Sequence, residues 1–339
     1  MHSIRVDRRH WLRQALAAGG AAWGLGACTL RSAGGPPPSS AALWVAPGIG
    51  VLPGAVGEPA PDNLGRTANL GFVVGRVGVL AVNAGVSASH GQALLQAIGQ
   101  HTPLPVRVAL LTQVRQEFVL GASALQAAGA RVLMHASAAR LMAGRCDGCL
   151  RQLQQLLSEQ AMQHTRVAVP DDTFDGTQPP AAALDGVGRA VRILSFGPGG
   201  HSSGLGAAAV WDEDTRTLLA GGLLSAQTIP DVQDAHLEGW RAAWAALRAL
   251  QPERIVPGFG PVAQGAGQAL ALIDANARYL EQLSDTTLRL LRQGVPLSEV
   301  AERAHLPEFA TWALYGSVHR RNASVLYLHH ERALLRGGG

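Results

Sequence analysis

The residues best able to do chemistry stand directly after an apolar run that ends at Thr112. Gln113, Arg115 and Glu117 occupy alternate positions in Gln113-Val114-Arg115-Gln116-Glu117-Phe118. A carboxylate two positions from a guanidinium can act as a general base beside an oxyanion clamp, or the two can simply pair. His201 lies in Gly200-His201-Ser202-Ser203-Gly204, where a lone imidazole is either a metal ligand or a hydrogen-bonded loop residue. Cys146-Asp147-Gly148-Cys149 has redox spacing, and a helix start would lower its thiol pKa. A zinc site there would need two more ligands, which the sequence does not visibly provide. His135, after a strand, reads as structural or as a partner for the cysteine pair.

These residues need a frame. Arg107–Thr112 is a strand by its β-branched content, Gln113–Phe118 a polar loop, Gly121–Gly129 helical in spacing, and Arg131–Met134 a second strand. Upstream, Leu43–Leu52 and Ala68–Asn83 read as strands of a β-meander, and His90–Gln100 as a short helix. Downstream, Ala138–Leu157 is helical with Leu141, Leu150, Leu153 and Leu157 as its buried line. Val167–Pro170 and Ala190–Phe196 read as strands, and Ala207–Asp212 with Thr217–Ala220 as a hairpin. Gly239–Leu250 is an amphipathic helix, with Trp240, Trp244 and Leu247 on one face. Ile255–Val262 is a strand and loop, Gln268–Arg292 a long helix, Leu297–Ala304 a short one, and Phe309–Leu335 the tail. Strands and helices alternating in two successive halves match an α+β, αββα four-layer sandwich with a C-terminal helical extension.

The chain has 339 residues, 47% hydrophobic and 15% charged, enough to bury a sizeable core and too apolar for disorder. It contains no lysine, so all 28 basic residues are arginine. Arg5, Arg8, Arg9 and Arg13 against Asp7 place +3 of the formal +4 within residues 1–27, leaving about +1 for the remainder. That distribution argues against a nucleic-acid surface. Arg8-Arg9-His10-Trp11-Leu12-Arg13 is similar to a twin-arginine export motif, followed by an apolar stretch too short to span a bilayer. Leu25-Gly26-Ala27-Cys28 resembles a bacterial lipobox, with Cys28 as the lipidated residue.

The expected organisation is a signal peptide over 1–27 and a flexible tether over 28–41, which holds the Gly/Pro/Ser run Ser32–Ser40. A sandwich domain follows over 42–265 and a helical region over 266–339. The expected location is the cell envelope or periplasm, with membrane contact through the lipid anchor alone. In an exported chain Cys146 and Cys149 read as a small local disulfide in preference to a redox pair. Asn322-Ala323-Ser324 matches a glycosylation sequon, discounted in a bacterial export context.

Four loops in order carry a resemblance to the metallo-β-lactamase superfamily. The unit around Thr112 resembles its strand–loop–helix–strand unit, whose loop holds a HxHxDH zinc motif. Gly200–Gly204 resembles the GHTPG loop, Ala220-Gly221-Gly222-Leu223 the AGD turn, and Val256-Pro257-Gly258-Phe259-Gly260-Pro261 the PGHGP loop. Gly222–Trp240, Arg145–Leu150 and the tail around Arg321–Tyr327 look like exported homologues associated with quinoprotein dehydrogenase systems.

The resemblance implies a dizinc hydrolase centre, and this sequence departs from it. At the matched positions only His201 keeps the ligand type. Gln113 is a poor zinc donor, Arg115 puts a permanent cation where a dication should sit, and Glu117 keeps a carboxylate one methylene longer. Phe118 and Phe259 replace imidazoles, and Gly222 removes the bridging carboxylate. One imidazole does not hold zinc against water. Arg115 would then take over the metal's charge role by pairing with Glu117 in a shallow cleft, and the two phenylalanines would close the vacated space. The first reading is a non-catalytic accessory or binding lipoprotein without cofactor, its partner an exported dehydrogenase or a small ligand in the former active-site cleft. The alternative is a hydrolase with an atypical single-metal (zinc) or metal-free site using Glu117, Arg115 and His201.

Overall fold

Short apolar runs punctuated by glycine turns pair with their neighbours in chain order, which is how the first sheet forms. The computed structural model of the protein describes residues 41–177, 179, 181–196 and 204–337. The expected signal peptide, Cys28, the expected tether up to residue 40 and the residues around His201 lie outside the described residues. Strands β1 (Leu43–Ala46), β2 (Ile49–Leu52), β3 (Leu70–Val74) and β4 (Val79–Val82) form the antiparallel meander. Helix α1 (Ala88–Gly99) then crosses over to β5 (Val106–Leu111), which pairs parallel with β4. A helical turn α2 (Gln116–Val119) and α3 (Ala122–Ala127) lead to β6 (Arg131–His135); α4 (Ala136–Leu157) leads to β7 (Asp172–Phe174). Both added strands run parallel to β5, completing seven strands in sequence order.

The second sheet has five strands in the order β12-β11-β10-β9-β8. Its members are β8 (Val191–Ser195), β9 (Ala208–Asp212), β10 (Thr217–Ser225), then, after α5 (Leu237–Ala249), β11 (Arg254–Phe259) and β12 (Ala263–Gln264). Helices α6 (Ala266–Arg292), α7 (Leu297–Arg303) and α8 (Arg320–Gly337) follow. The sheets meet face to face through Ile49, Val73, Leu80 and Leu110 on one side and Val210, Leu219 and Val256 on the other. Each such fully buried aliphatic side chain contributes about 1.5–3 kcal/mol. Helices α1–α4 cover the outer face of the first sheet and α5 and α6 that of the second, with α7 and α8 packed on α6. This is the expected four-layer αββα sandwich with helices added at its C-terminal end. Among the described residues, no helix is long and apolar enough to cross a membrane.

Two local expectations change. Val167–Pro170 forms no strand: Val169 is exposed, Pro170 lacks an N–H, and β7 begins only at Asp172, opposite Leu133. The buried line of α4 runs through Met142, Cys146, Leu153 and Leu157, while Leu141 and Leu150 are half-buried. Cys146 thus fills a core position that the leucine spacing had assigned elsewhere.

Candidate functional site

The central loop is launched from a fixed point. Asn83, at the end of β4 in the left-handed region (φ 66°), accepts hydrogen bonds from the Thr112 backbone N–H (3.0 Å) and hydroxyl (2.8 Å). The Thr112 carbonyl accepts from Ala208 N–H across the sheets. Gln113–Phe118, expected as a loop throughout, tightens halfway into α2, with Arg115 at its N-cap. This turn brings Arg115 and Glu117 to one cleft and sends Phe118 into the core, where it is fully buried.

From the second sheet come the two other loops. Gly222 lies in β10, where the pairing with β11 shifts register around Gly221 (φ 51°). The next carbonyl, Leu223, accepts from both the Trp240 indole (3.0 Å) and the Trp244 indole (2.8 Å), so the strand cannot slide. The loop carrying Phe259 is held by buried Asn69, whose amide donates to Pro257 and Gly260 carbonyls at 2.9 and 2.8 Å. This frame brings Gln113, Phe118, Gly222 and Phe259 together, while His201 lies outside the described residues.

Among the described residues, what it brings together is a set of packed side chains. A Cβ on Gly222 would stand 2.4 Å from Gln113 Oε1 and 2.5 Å from its Cδ, so the amide fills the space where an aspartate side chain would begin. Phe118 and Phe259 stack at 5.4 Å between centroids, 29° between planes. The Arg115 guanidinium lies over the Phe259 face at 5.1 Å. Among the described residues, no group of three or more His, Cys, Asp or Glu is gathered that could hold a metal ion. Among the described residues, the side chains at this point do not fit a pair of zinc ions: a permanent cation and two hydrocarbon rings stand there.

Arg115 and Glu117 do pair, at 3.7 Å, but beyond hydrogen-bond length. A second carboxylate, absent from the sequence reading, joins them: Asp231 lies 3.6 Å from Arg115 and 2.8 Å from Arg321. Asp231 sits in the segment between β10 and α5, and Arg321 in the first turn of α8. Asn322 fixes that segment by donating to Pro230 O (2.7 Å) and accepting from Val232 N–H (3.2 Å). It also donates to the Tyr279 hydroxyl (3.0 Å), which contacts His319 Nδ1 at 3.2 Å. Asn322 is fully buried, which removes the sequon as a glycosylation site. Burial pushes the His319 pKa down and the Tyr279 pKa up, so both stay neutral near pH 7. No spacing in the sequence links Asp231, Arg321 and Asn322; only the docking of α8 does.

Arg115, Glu117, Asp231 and Arg321 line one cleft of about 320 Å³, with Leu153, Leu156, Phe259, Leu314 and Val318 as its apolar side. Gln113 lies beside a much smaller hollow behind Arg115. His135 is buried and caps α4, its Nδ1 accepting from Ser137 N–H at 3.1 Å.

The cysteines depart from both expectations. Cys146 and Cys149 are free thiols, not the expected disulfide. They lie well inside α4, not at its start, so no unpaired backbone N–H groups favour a thiolate. Burial, and then the neighbouring Cys149, push the Cys146 thiol up to about 12.

No family model and no curated protein matches the sequence. Solved structures do match the fold. A stereoselective inverting sec-alkylsulfatase from Pseudomonas sp. superposes with TM-score 0.63 at 15% identity, over 86% of this chain and 50% of its own. This chain therefore spans half the length of that enzyme. The metallo-β-lactamase DIM-1 matches with TM-score 0.51 at 14% identity, over 69% of this chain and 96% of its own. A metallo-β-lactamase from Pontibacter korlensis matches with TM-score 0.50 at 19% identity, over 69% and 98%. At these identities the likeness concerns the backbone, not the activity. The chain has the metallo-β-lactamase fold, with additional helices at its C-terminal end.

Proposed function

We propose that this chain is a metallo-β-lactamase-fold protein whose dizinc centre has been replaced by a metal-free cleft, and that it acts as a non-catalytic accessory or binding lipoprotein of the cell envelope. The observation that carries this reading is the Gln113 amide seated against Gly222, where a bridging carboxylate would need to begin. Further support comes from the Phe118–Phe259 stack and from the Arg115–Asp231–Arg321 ion pairs, which supply charge without coordination. A quinoprotein dehydrogenase system as partner follows from the sequence resemblance alone. Its test is co-purification of the protein with an exported dehydrogenase, and recovery of the protein alone would count against it.

A second reading has its own observation: Glu117 and Arg115 lie 3.7 Å apart in the cleft, the arrangement a metal-free hydrolase would use. Turnover separates the two. The purified protein is expected to hydrolyse lactam, thioester, phosphodiester and sulfate ester substrates at background rates, unchanged by Glu117→Gln. Turnover that Glu117→Gln abolishes would establish the hydrolase instead. For the anchor, Cys28→Ala should release the protein from membrane fractions, and unchanged fractionation would remove the lipoprotein reading.

A further inference from the structure

The cleft between α4, the β10–α5 segment and α8 holds two guanidinium groups, Arg115 and Arg321, and two carboxylates, Glu117 and Asp231. Its wall is therefore charge-neutral while being strongly polar. Glu58 also stands at the rim, but it is solvent-exposed and screened. Asp231 is held by Arg321 at 2.8 Å and accepts from the Gln233 backbone N–H at 3.0 Å. Arg115 has its nearest carboxylate oxygens at 3.6 and 3.7 Å, and its buried Nε has no hydrogen-bond partner. The Glu117 carboxylate, with 7% of its side chain exposed, faces Arg115 at the same 3.7 Å. A guanidinium with one buried, unpartnered N–H and a carboxylate that meets it at 3.7 Å stand side by side and line the same cavity.

We infer that the cleft binds a free α-amino acid with an apolar side chain, its carboxylate on Arg115 and its ammonium on Glu117. This rests on the reading of the cleft as metal-free. A simple anion would satisfy Arg115 but face Glu117 and Asp231; a simple cation would face Arg115 and Arg321. A zwitterion adds no net charge to the wall and gives Arg115 and Glu117 an opposite charge each. The charges of an α-amino acid are on adjacent atoms, which suits an acceptor and a donor that stand next to one another. Leu153, Leu156 and Val318 line the apolar side of the same cavity and would take the side chain. A volume of about 320 Å³ lies at the small end of the ~300–1,000 Å³ range of small-molecule sites, as one amino acid requires.

Titration calorimetry of the purified protein with L-leucine, L-phenylalanine and L-methionine tests this, alongside N-acetyl-L-leucine and L-leucinamide. One-to-one binding of at least one free amino acid is expected. Blocking either charge should weaken binding at least about tenfold, as removing one partner of a hydrogen-bonded charge pair does. Glu117→Gln, which is nearly isosteric, should weaken the free amino acid by a similar factor and leave N-acetyl-L-leucine unaffected. Equal binding of N-acetyl-L-leucine would make this an anion site, and equal binding of L-leucinamide a cation site. Either result overturns the inference, as does absence of binding by a cooperatively folded protein. Zinc analysis of the same sample separates the two levels. Stoichiometric zinc removes the metal-free reading and the inference with it, whereas metal-free protein that binds no amino acid removes the inference alone.

Discussion

At the scale of single residues, Gln113 and Gly222 behave as one unit. The glycine leaves room that the amide fills, so restoring only the aspartate places two side chains in one volume. Gly222→Asp should destabilise the protein by about 1–3 kcal/mol, the usual cost of overpacking. Adding Gln113→Ala should recover much of that loss, and urea denaturation of both singles and the double would give the coupling. Additive effects would show that the two side chains do not share space. Part of this was legible in the sequence, because the motif loops carry Gln113 and Gly222 where the resemblance implies a histidine and an aspartate. The filling of the space was not, since the loops lie some 110 positions apart and meet only when the sheets pack. Asp231 and Arg321 were invisible for the same reason: a surface-type aspartate and a tail arginine acquire meaning only when α8 docks beside Arg115.

Elements show the same division. The strands, α5 and α6 were readable because their periodicities match the faces they bury, with Trp240, Trp244 and Leu247 all buried as their spacing required. The failures have physical causes: Pro170 and an exposed Val169 end the strand reading, and Cys146 substitutes for a leucine in the line of α4. Helix α8 positions the β10–α5 segment through Asn322, whose three hydrogen bonds are all buried. Asn322→Ala leaves the Pro230 carbonyl and the Val232 N–H without partners and should cost about 2–4 kcal/mol. Chemical denaturation measures that cost. A change below about 0.5 kcal/mol would mean that the segment is held by other contacts.

For the whole molecule, the buried histidines set the response to acid. His90 is pushed down to about 3 by burial, with Arg66 adding to the shift, and His135 and His319 are lowered by burial. Unfolded histidine takes a proton near 6.5, whereas these take one only at lower pH. The unfolded state therefore binds more protons below about pH 6.5, and stability is present above that value and lost as pH falls toward 3. The denaturation midpoint should decline between pH 7 and 4.5, before most carboxylates titrate, and His90→Gln should flatten the slope. A midpoint constant over that window would contradict the burial of these imidazoles as neutral groups.

Metal content bears most directly on whether this fold has exchanged its dizinc centre for an ion-paired cleft. Protein purified without an affinity tag, incubated with excess zinc and desalted, is measured by elemental analysis beside the sixfold variant Gln113→His, Arg115→His, Glu117→Asp, Phe118→His, Gly222→Asp and Phe259→His. Less than about one zinc per two chains is expected for the unaltered protein, because a catalytic zinc normally needs three protein ligands. Near-stoichiometric metal is expected for the variant, whose supporting frame of Asn69, Asn83 and the Leu223 carbonyl is untouched. Two zinc ions per unaltered chain would contradict the metal-free cleft and return the protein to the active hydrolases.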